Sequence, residues 1–201
     1  MSRDSFLEQV NVSRETLANL DAYAALLTKW QPRINLVSNS TVPDLWHRHF
    51  LDSAQIHPLI APGAKILDLG SGAGFPGLVL AIMGGVSVTL IESDSRKCTF
   101  MREAIRLTGA PATVVNKRIE STDLSNFDVI TSRALAPLDK LLDLAAPYLT
   151  EKTQCFFLKG NKLNEELTFA NQSWNIVYET IPSITDPSGC ILKISEVGRK
   201  P

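Results

Sequence analysis

The chain has 201 residues, of which 44% are hydrophobic and 20% are charged, and its formal net charge is −1. These values are typical of one folded domain with a sizeable core, and they exclude a disordered chain. No overall basic field indicates a nucleic-acid partner, although a local basic patch is compatible with this composition.

Cysteine usage and the lack of long apolar runs predict a cytoplasmic protein. Cys98, Cys155 and Cys190 lie far apart and form no C-x-x-C pair, so we expect neither a disulfide framework nor a metal site. The first residues carry no apolar signal-peptide run, and no stretch approaches the roughly 18 apolar residues of a membrane span. We expect a monomer that does not bind membranes.

Residues 1–62 are predicted to form a helical cap. Ser13 suits the N-cap of a helix whose apolar residues recur at helical spacing until Pro32 ends it. A second helix is predicted to begin near Ser40 or Thr41, with Pro43 in its first turn, and to run through residues 45–53. Proline and glycine at 58, 62 and 63 separate this cap from the rest, and we expect it to pack on the core rather than fold alone.

Residues 63–201 are predicted to form an α/β core, because strand and helix patterns alternate from Lys65 onward. Seven strands are expected in a mostly parallel sheet, at residues 65–69, 86–91, 113–116, 127–131, 154–158, 174–181 and 190–195. The helices between them are expected at residues 76–83, 95–108, 138–147 and 164–170, and Ser95 is predicted to cap the second of these. Right-handed crossovers would place the first strand centrally, at the topological switch point.

The glycine turn, residues 68–77, follows the first strand and reads DLGSGAGFPG. Glycines let the backbone approach a ligand closely, and the helix that follows offers unpaired N–H groups. The G-x-G-x-x-G match alone permits a nicotinamide or flavin dinucleotide. S-adenosylmethionine is favoured because Asp68 precedes Gly70 by two residues, where a carboxylate can bind the ligand's amino group or anchor the turn. The D-x-G-x-G-x-G spacing is usual in methyltransferases that use this cofactor, and no second catalytic domain is expected after the seven strands.

Glu92 ends the second predicted strand about 20 residues after the glycine turn, where an acid typically binds ribose hydroxyls. This expectation holds for a dinucleotide and for S-adenosylmethionine alike. The alternative is an ordinary exposed carboxylate at the end of a strand.

Basic residues follow three further strands, at the edge where such sheets bind ligands: Arg118, Arg133 and Lys159. A guanidinium suits a carboxylate or a phosphate, whereas the alternative is a structural ion pair such as Arg118 with Glu120. Arg96, Lys97, Arg102 and Arg106 share one predicted helix and form either an RNA-binding strip or a solvated face. His49 lies three residues before Asp52, and we expect a structural hydrogen bond between them that positions the cap.

Taken together, these stretches resemble the bacterial RsmG (GidB) family of small-subunit ribosomal RNA guanine-N7 methyltransferases. The resemblance runs from about residue 20 to 195, and the cap motifs in it are foreign to generic methyltransferases. The matching stretches are Asn35-Leu36-Val37-Ser38, Arg48-His49-Phe50-Leu51-Asp52-Ser53, the glycine turn, Glu92-Ser93, Arg96-Lys97, Arg118-Ile119-Glu120, Ser132-Arg133-Ala134 and Leu158-Lys159-Gly160.

The resemblance implies a class I, Rossmann-like fold and methyl transfer from S-adenosylmethionine to N7 of one guanine in the decoding-region loop of 16S rRNA, within the 30S subunit or its precursor. The expected cofactor-binding residues are Asp68, Gly70, Gly72, Phe75, Glu92, Ile119, Glu120 and Arg133. The expected catalytic residues are Arg118, Arg133 and Lys159. The expected RNA-binding residues are Arg96, Lys97, Arg118 and Lys159.

One departure from the family pattern concerns residues 188–190, Ser-Gly-Cys, where the family usually carries an arginine. The corresponding contact is therefore missing or supplied by Lys193 or Arg199. Three alternatives remain open: a methyltransferase of another substrate, a module that binds S-adenosylmethionine or RNA without catalysis, and a nicotinamide-dependent reductase.

Overall fold

A seven-stranded sheet with the order β3-β2-β1-β4-β5-β7-β6 runs through the computed structural model, which describes residues 3–200. The strands are β1 Lys65–Leu69, β2 Ser87–Glu92, β3 Ala112–Asn116, β4 Val129–Arg133, β5 Gln154–Lys159, β6 Trp174–Pro182 and β7 Cys190–Arg199. The first five pair in parallel, whereas β7 is antiparallel to both β5 and β6. The predicted fold class is therefore confirmed, and the strand order reverses between β1 and β4 as expected.

The helices begin close to the predicted positions, but one cap residue differs. They are α1 Arg3–Leu7, α2 Arg14–Trp30, α3 Asp52–Ala54, α4 Gly77–Met83, α5 Ser95–Thr108, α6 Leu138–Ala145 and α7 Leu163–Ser173. The Ser13 hydroxyl caps α2 as predicted, because it accepts from the N–H of Thr16 at 3.0 Å. Asp94, not Ser95, caps α5, since its extended backbone directs the carboxylate to the N–H of Arg96 at 2.8 Å.

The prediction of one regular helix across residues 45–53 is wrong. A 3₁₀ helix at Asn39–Asp44 contains Pro43, and a wider π-helical turn follows at Trp46–Leu51 before α3 begins. Proline lacks an N–H and favours such a break, and π-helical turns are frequent at functional sites.

Alternate residues along the strands supply two hydrophobic clusters. Ile66 and Leu90 belong to the cluster that also contains the buried residues of the cap, α4 and α5. Leu67 and Ile91 belong to the cluster packed with α6 and α7. Because successive side chains of a strand point to opposite faces, this alternation places the cap over one face of the sheet.

The ring of Tyr23 in α2 connects the cap to the glycine turn. It is fully buried, stacks against Phe75 with a centroid separation of 5.5 Å and meets Phe50 edge-on at 5.3 Å. Its hydroxyl donates a hydrogen bond to the carbonyl of Ala73. The cap therefore supports the backbone of the turn directly.

Gly77 begins α4 where that helix packs against β1 and β2. A Cβ added there would lie 2.6 Å from Leu90 Cδ2 and 2.8 Å from Asp68 Cβ. Since overpacking of this kind costs about 1–3 kcal/mol, Gly77→Ala should lower the free energy of unfolding by that amount in urea titrations. Gly198→Ala is the control, because no heavy atom lies within 4 Å of its Cβ position, and equal stability of the two variants would contradict the packing described.

Candidate active site

A cavity of about 780 Å³ opens at the carboxyl ends of the parallel strands. The glycine turn, the ends of β2 to β5, the cap and the loop of residues 183–189 between β6 and β7 contribute to its lining. This size and this position at the reversal of strand order are typical of a small-molecule site in an α/β sheet.

The glycine turn needs its glycines for conformation and for space. Gly70 and Gly72 have φ values of +64° and +58°, in the left-handed region that other residues rarely adopt. A Cβ on Gly70 would lie 2.5 Å from Leu135 Cδ1, whereas a Cβ on Gly72 would meet nothing closer than 3.9 Å. Gly72 therefore borders open space in the cavity, where a ligand can approach its backbone.

Glu92 lies at the end of β2 and lines the cavity, as the ribose prediction requires. One carboxylate oxygen accepts from the N–H of Gly72 at 2.9 Å and the other from the N–H of Asp94 at 2.8 Å. Each oxygen has acceptor capacity left, so these bonds orient the carboxylate without exhausting it. Contact with a ribose stays a prediction.

The Asp68 carboxylate is fully buried beneath the turn and is not part of the cavity lining. Its Oδ1 accepts from the Thr131 hydroxyl at 2.8 Å, and its Oδ2 has no hydrogen-bond partner among residues 3–200. Burial raises the pKa of Asp68 to about 6. Of the two roles considered for this residue, its position suits the anchoring of the turn rather than contact with a ligand.

The guanidinium of Arg133, the last residue of β4, is held mainly by the cap. Its Nη1 donates to Asp52 Oδ2 and to the carbonyl of Arg48, both at 3.0 Å, and its Nη2 donates to His49 Nδ1 at 2.7 Å. The guanidinium carbon Cζ lies 4.9 Å from the centroid of the Phe75 ring. Arg133 therefore joins the cap, the sheet and the glycine turn at one point.

The predicted hydrogen bond between His49 and Asp52 is wrong, because each side chain bonds to Arg133 instead. The hydroxyl of Thr41 donates to the carbonyl of Ser38, so its oxygen accepts from His49 Nε2 at 2.8 Å. This arrangement places the imidazole proton on Nε2 and leaves Nδ1 as the acceptor for Arg133. Burial and the charges of Arg133 and Arg48 lower the pKa of His49 to about 3, so the ring is neutral.

The exposed rim beside the glycine turn carries several basic residues. Arg118 and Glu120 are exposed around the buried Ile119, and all three line the cavity. Among residues 3–200 Arg118 forms no ion pair, so the alternative of a pair with Glu120 is not observed. Lys97 and Lys117 also line the cavity. The sequence prediction missed Lys117, although its position directly before Arg118 at the end of β3 was a usable signal.

The rest of the predicted basic strip on α5 does not line the cavity. Arg96 is exposed and lies 3.6 Å from Asp94, whose carboxylate caps the helix. Neither Arg102 nor Arg106 lines the cavity, and both are exposed. The interpretation of a solvated helix face therefore suits these last two residues.

Lys159, at the end of β5, lines the cavity but its ammonium is engaged. It donates to Glu166 Oε2 at 2.7 Å and to the carbonyl of Ala136 at 3.0 Å, and the side chain is only 7% exposed. Glu166 also accepts from the N–H of Leu138, at the start of α6. A contact between Lys159 and a phosphate would have to disrupt this network, and the catalytic and RNA-binding roles of Lys159 stay predictions.

Lys193 and Arg199 do not replace the missing arginine of the family pattern. Lys193 pairs with Glu179 at 2.7 Å, and Arg199 pairs with Asp143 beside the ring of Trp174, so both are engaged outside the cavity. A guanidinium of the cap contacts the loop before these residues, since Arg48 Nη1 lies 3.4 Å from Asp186 Oδ2.

Within residues 3–200 no group of three or more His, Cys, Asp or Glu side chains is arranged to hold a metal ion. In the same range, no helix has the length and apolar character needed to cross a membrane. Cys98, Cys155 and Cys190 are all free thiols.

The raised pKa of Asp68 predicts a specific pH dependence of stability. Its folded-state pKa of about 6 exceeds the ordinary 3.8, so the folded state binds the proton more tightly and stability falls as pH rises between these values. The loss should be about 3 kcal/mol, and it should be complete above pH 6 to 7. The lowered pKa of His49 raises stability with pH over the same range, so the Asp68 contribution is measured as a difference between variants. In urea titrations from pH 4 to 7.5, the wild type should therefore lose this stability relative to Asp68→Asn.

Thr131→Val serves as the control for that measurement. It removes a hydrogen bond that favours the charged carboxylate. The decline in stability should therefore extend to higher pH in this variant. Identical pH profiles for the wild type and Asp68→Asn would contradict the assignment.

Comparison with known proteins agrees with this geometry. The family model for rRNA small subunit methyltransferase G (GidB) matches residues 16–188. The ribosomal RNA small subunit methyltransferase G of Paramagnetospirillum magneticum is 56% identical over 99% of this chain and 98% of its own length. The protein of the same name from Rhodospirillum centenum is 54% identical over 96% of this chain and 89% of its own length.

A solved structure shows that the fold is shared more widely. A TehB-like SAM-dependent methyltransferase from Corynebacterium glutamicum superposes with a TM-score of 0.58 at 16% identity, covering 89% of this chain and 98% of that one. The predicted Rossmann-like methyltransferase fold is confirmed, and with the family match S-adenosylmethionine is confirmed over a dinucleotide as the cofactor. The chain therefore belongs to the rRNA small subunit methyltransferase G family.

Proposed function

We propose that this chain transfers a methyl group from S-adenosylmethionine to N7 of one guanine in the decoding-region loop of 16S rRNA. The observation that carries the proposal is a single cavity bounded by the glycine turn on one side and by the cap and basic rim on the others. The family membership supports an rRNA acceptor. The chain would act as a monomer in the cytoplasm, on the 30S subunit or its precursor.

The residues around the cavity fit the cofactor in size and chemistry. The backbone at Gly70 and Gly72 would face the methionine part and Glu92 would accept from the ribose hydroxyls, while Ile119 and Glu120 would border the adenine. Each of these residues lines the cavity.

Arg133 would bind the carboxylate of the cofactor. Its three hydrogen bonds to the cap leave one Nη2 hydrogen and the Nε–H without an acceptor among the described residues. These two N–H groups can form a charge-assisted pair with a carboxylate. Phe75, against which the guanidinium lies, would line the same part of the site.

The reaction proposed here needs no general base. Guanine N7 has an in-plane lone pair and no proton, so it can attack the sulfonium methyl group directly. Two candidate bases lie beside Arg133, and neither is available. The Nδ1 lone pair of His49 and the carboxylate of Asp52 both accept hydrogen bonds from Arg133. Catalysis would then depend on holding N7 in line with the S–CH₃ bond.

The placement of the charges agrees with that mechanism. Positive charge moves from sulfur to the purine during transfer, so a guanidinium directly against N7 would oppose it. The contacts of Arg133 with Asp52 and His49 hold its charge at the cap. The guanine would have to leave its stack to enter the cavity, as in other base-modifying enzymes.

The basic rim would contact the RNA backbone. Lys97, Lys117 and Arg118 border the cavity, and exposed Arg96 extends this surface. Phosphate contacts of this kind make RNA binding strongly dependent on salt, whatever the sequence.

Mapping of the modified nucleotide tests the proposed reaction. Purified protein and labelled S-adenosylmethionine should convert one guanine in the decoding loop to 7-methylguanosine, using 16S rRNA or 30S subunits from cells that lack this gene. Arg133→Ala should reduce transfer by about 100-fold or more, because an oriented charged contact is lost. A label elsewhere in the RNA, or tight cofactor binding without any label, would contradict the proposal.

The salt dependence of RNA binding tests the rim. Lys117→Ala should reduce the slope of log K against log salt by about 1, as expected for one lost phosphate contact. Lys152→Ala is the control, because Lys152 is also exposed but precedes β5 at the opposite edge of the sheet. An unchanged slope in Lys117→Ala, or the same decrease in both variants, would count against the proposed RNA surface.

A further inference from the structure

The carboxylate of Asp52 has contacts that the proposed reaction does not explain. Its Oδ2 accepts from Arg133 Nη1 at 3.0 Å. Its Oδ1 accepts from the Thr185 hydroxyl at 2.7 Å and from Gln55 Nε2 at 3.1 Å. One carboxylate, 17% exposed, thus connects the guanidinium at the end of β4 to the loop of residues 183–189.

That loop is fastened to the cap by further hydrogen bonds. The carbonyl of Thr185 lies 2.9 Å from His47 Nε2, and the N–H of Ile184 donates to Gln55 Oε1 at 3.0 Å. Asp186 and Gly189 of the loop line the cavity. The position of this wall is therefore set by the cap rather than by the β6–β7 hairpin alone.

Arg133 needs such an anchor because its side chain has several rotatable bonds. A guanidinium that approaches a ligand without fixed partners loses rotamer freedom on binding, and that loss weakens the affinity. Here Asp52 and His49 accept from separate nitrogens and fix the plane of the group before a ligand arrives. The directions of the remaining N–H groups of Arg133 are therefore fixed before the ligand binds.

We propose that Asp52 is a positioning residue with two roles: it orients Arg133 toward the carboxylate of the cofactor, and it holds the loop of residues 183–189 as the acceptor-side wall of the cavity. The first role rests on the proposed contact between Arg133 and that carboxylate. The second role rests on the bond with Thr185 and on the proposed RNA acceptor, and it does not depend on the contact between Arg133 and the carboxylate.

A pair of ligands tests the first role. S-adenosylhomocysteine contains the amino-acid part, whereas 5′-methylthioadenosine has the same nucleoside without it. By calorimetry, Asp52→Asn should weaken binding of S-adenosylhomocysteine about tenfold, the loss typical of a disturbed charge-assisted contact. Binding of 5′-methylthioadenosine should change by less than about twofold.

The matched control is Asp21→Asn. Asp21 is also an ion-paired carboxylate of the cap, 2.8 Å from Arg3 Nε, but it does not line the cavity. This variant should bind both ligands as the wild type does. In the double variant with Arg133→Ala, Asp52→Asn should cause no further loss of affinity, because its effect acts through Arg133.

The outcomes separate this inference from the proposed function. If Arg133→Ala weakens both ligands equally, the proposed carboxylate contact is wrong. If Arg133→Ala selectively weakens S-adenosylhomocysteine but Asp52→Asn does not, the positioning role is overturned and the proposed contact stands. If Asp52→Asn weakens the binding of both ligands and also lowers the melting temperature, Asp52 only stabilises the cap. The positioning role is then likewise overturned.

Thr185→Val tests the second role. It removes the hydroxyl that donates to Asp52 but keeps the size of the side chain. We expect a several-fold higher KM for the RNA acceptor, with affinity for S-adenosylhomocysteine within about twofold of the wild type. Unchanged acceptor kinetics would overturn the role of Asp52 in holding the wall.

Discussion

The hydrogen bonds of Arg133 are the interaction on which the site depends. Its side chain is only 16% exposed, and a cation so placed must be paired and hydrogen-bonded to be stable. The strand that carries it supplies none of the three acceptors described, since all come from residues 48–52 of the cap. The cap is therefore part of the site, and the cavity would lack both a wall and an oriented cation without it.

The same arrangement accounts for the neutrality of His49 and for the absence of an available base near it. Burial disfavours the charged ring most, and the charge of Arg133 adds to this effect. The Nδ1 lone pair that a second proton would need already accepts from Arg133. An enzyme that removes a proton from its methyl acceptor would need a base with a free lone pair at this position. A methyl transfer to a lone pair needs only alignment, and the stacking of Tyr23 on Phe75 of the glycine turn provides a frame for it.

Periodicity and glycine chemistry predicted the parts of the structure that depend on local rules. The alternation of apolar runs located the strands to within a few residues, and the glycine turn and Glu92 lie at the cavity because chain direction in a parallel sheet determines where its strands end. The G-x-G-x-x-G match alone left two ligands open, the D-x-G-x-G-x-G spacing favoured S-adenosylmethionine, and the family motifs agreed with it.

Contacts between residues distant in sequence were beyond those rules. The spacing of His49 and Asp52 suggested a bond within one helix, but the π-helical turn and Arg133, more than 80 residues away, determine both partners. The position of Lys159 at the end of a strand suggested that it contacts RNA. In the structure its ammonium pairs with Glu166 of α7. Lys193 and Arg199 were candidates by sequence position alone. Sheet register places Lys193 opposite Glu179, and Arg199 pairs with Asp143 of α6.

We infer that the cap and the glycine turn act as one binding unit. Hydrogen exchange of the intact protein, with and without S-adenosylhomocysteine, tests it most directly. Because the ligand would stabilise contacts that include Arg133, exchange should slow both in residues 70–75 and in residues 46–54 of the cap. Slower exchange confined to residues 70–75, with the cap unaffected at saturating ligand, would contradict the account.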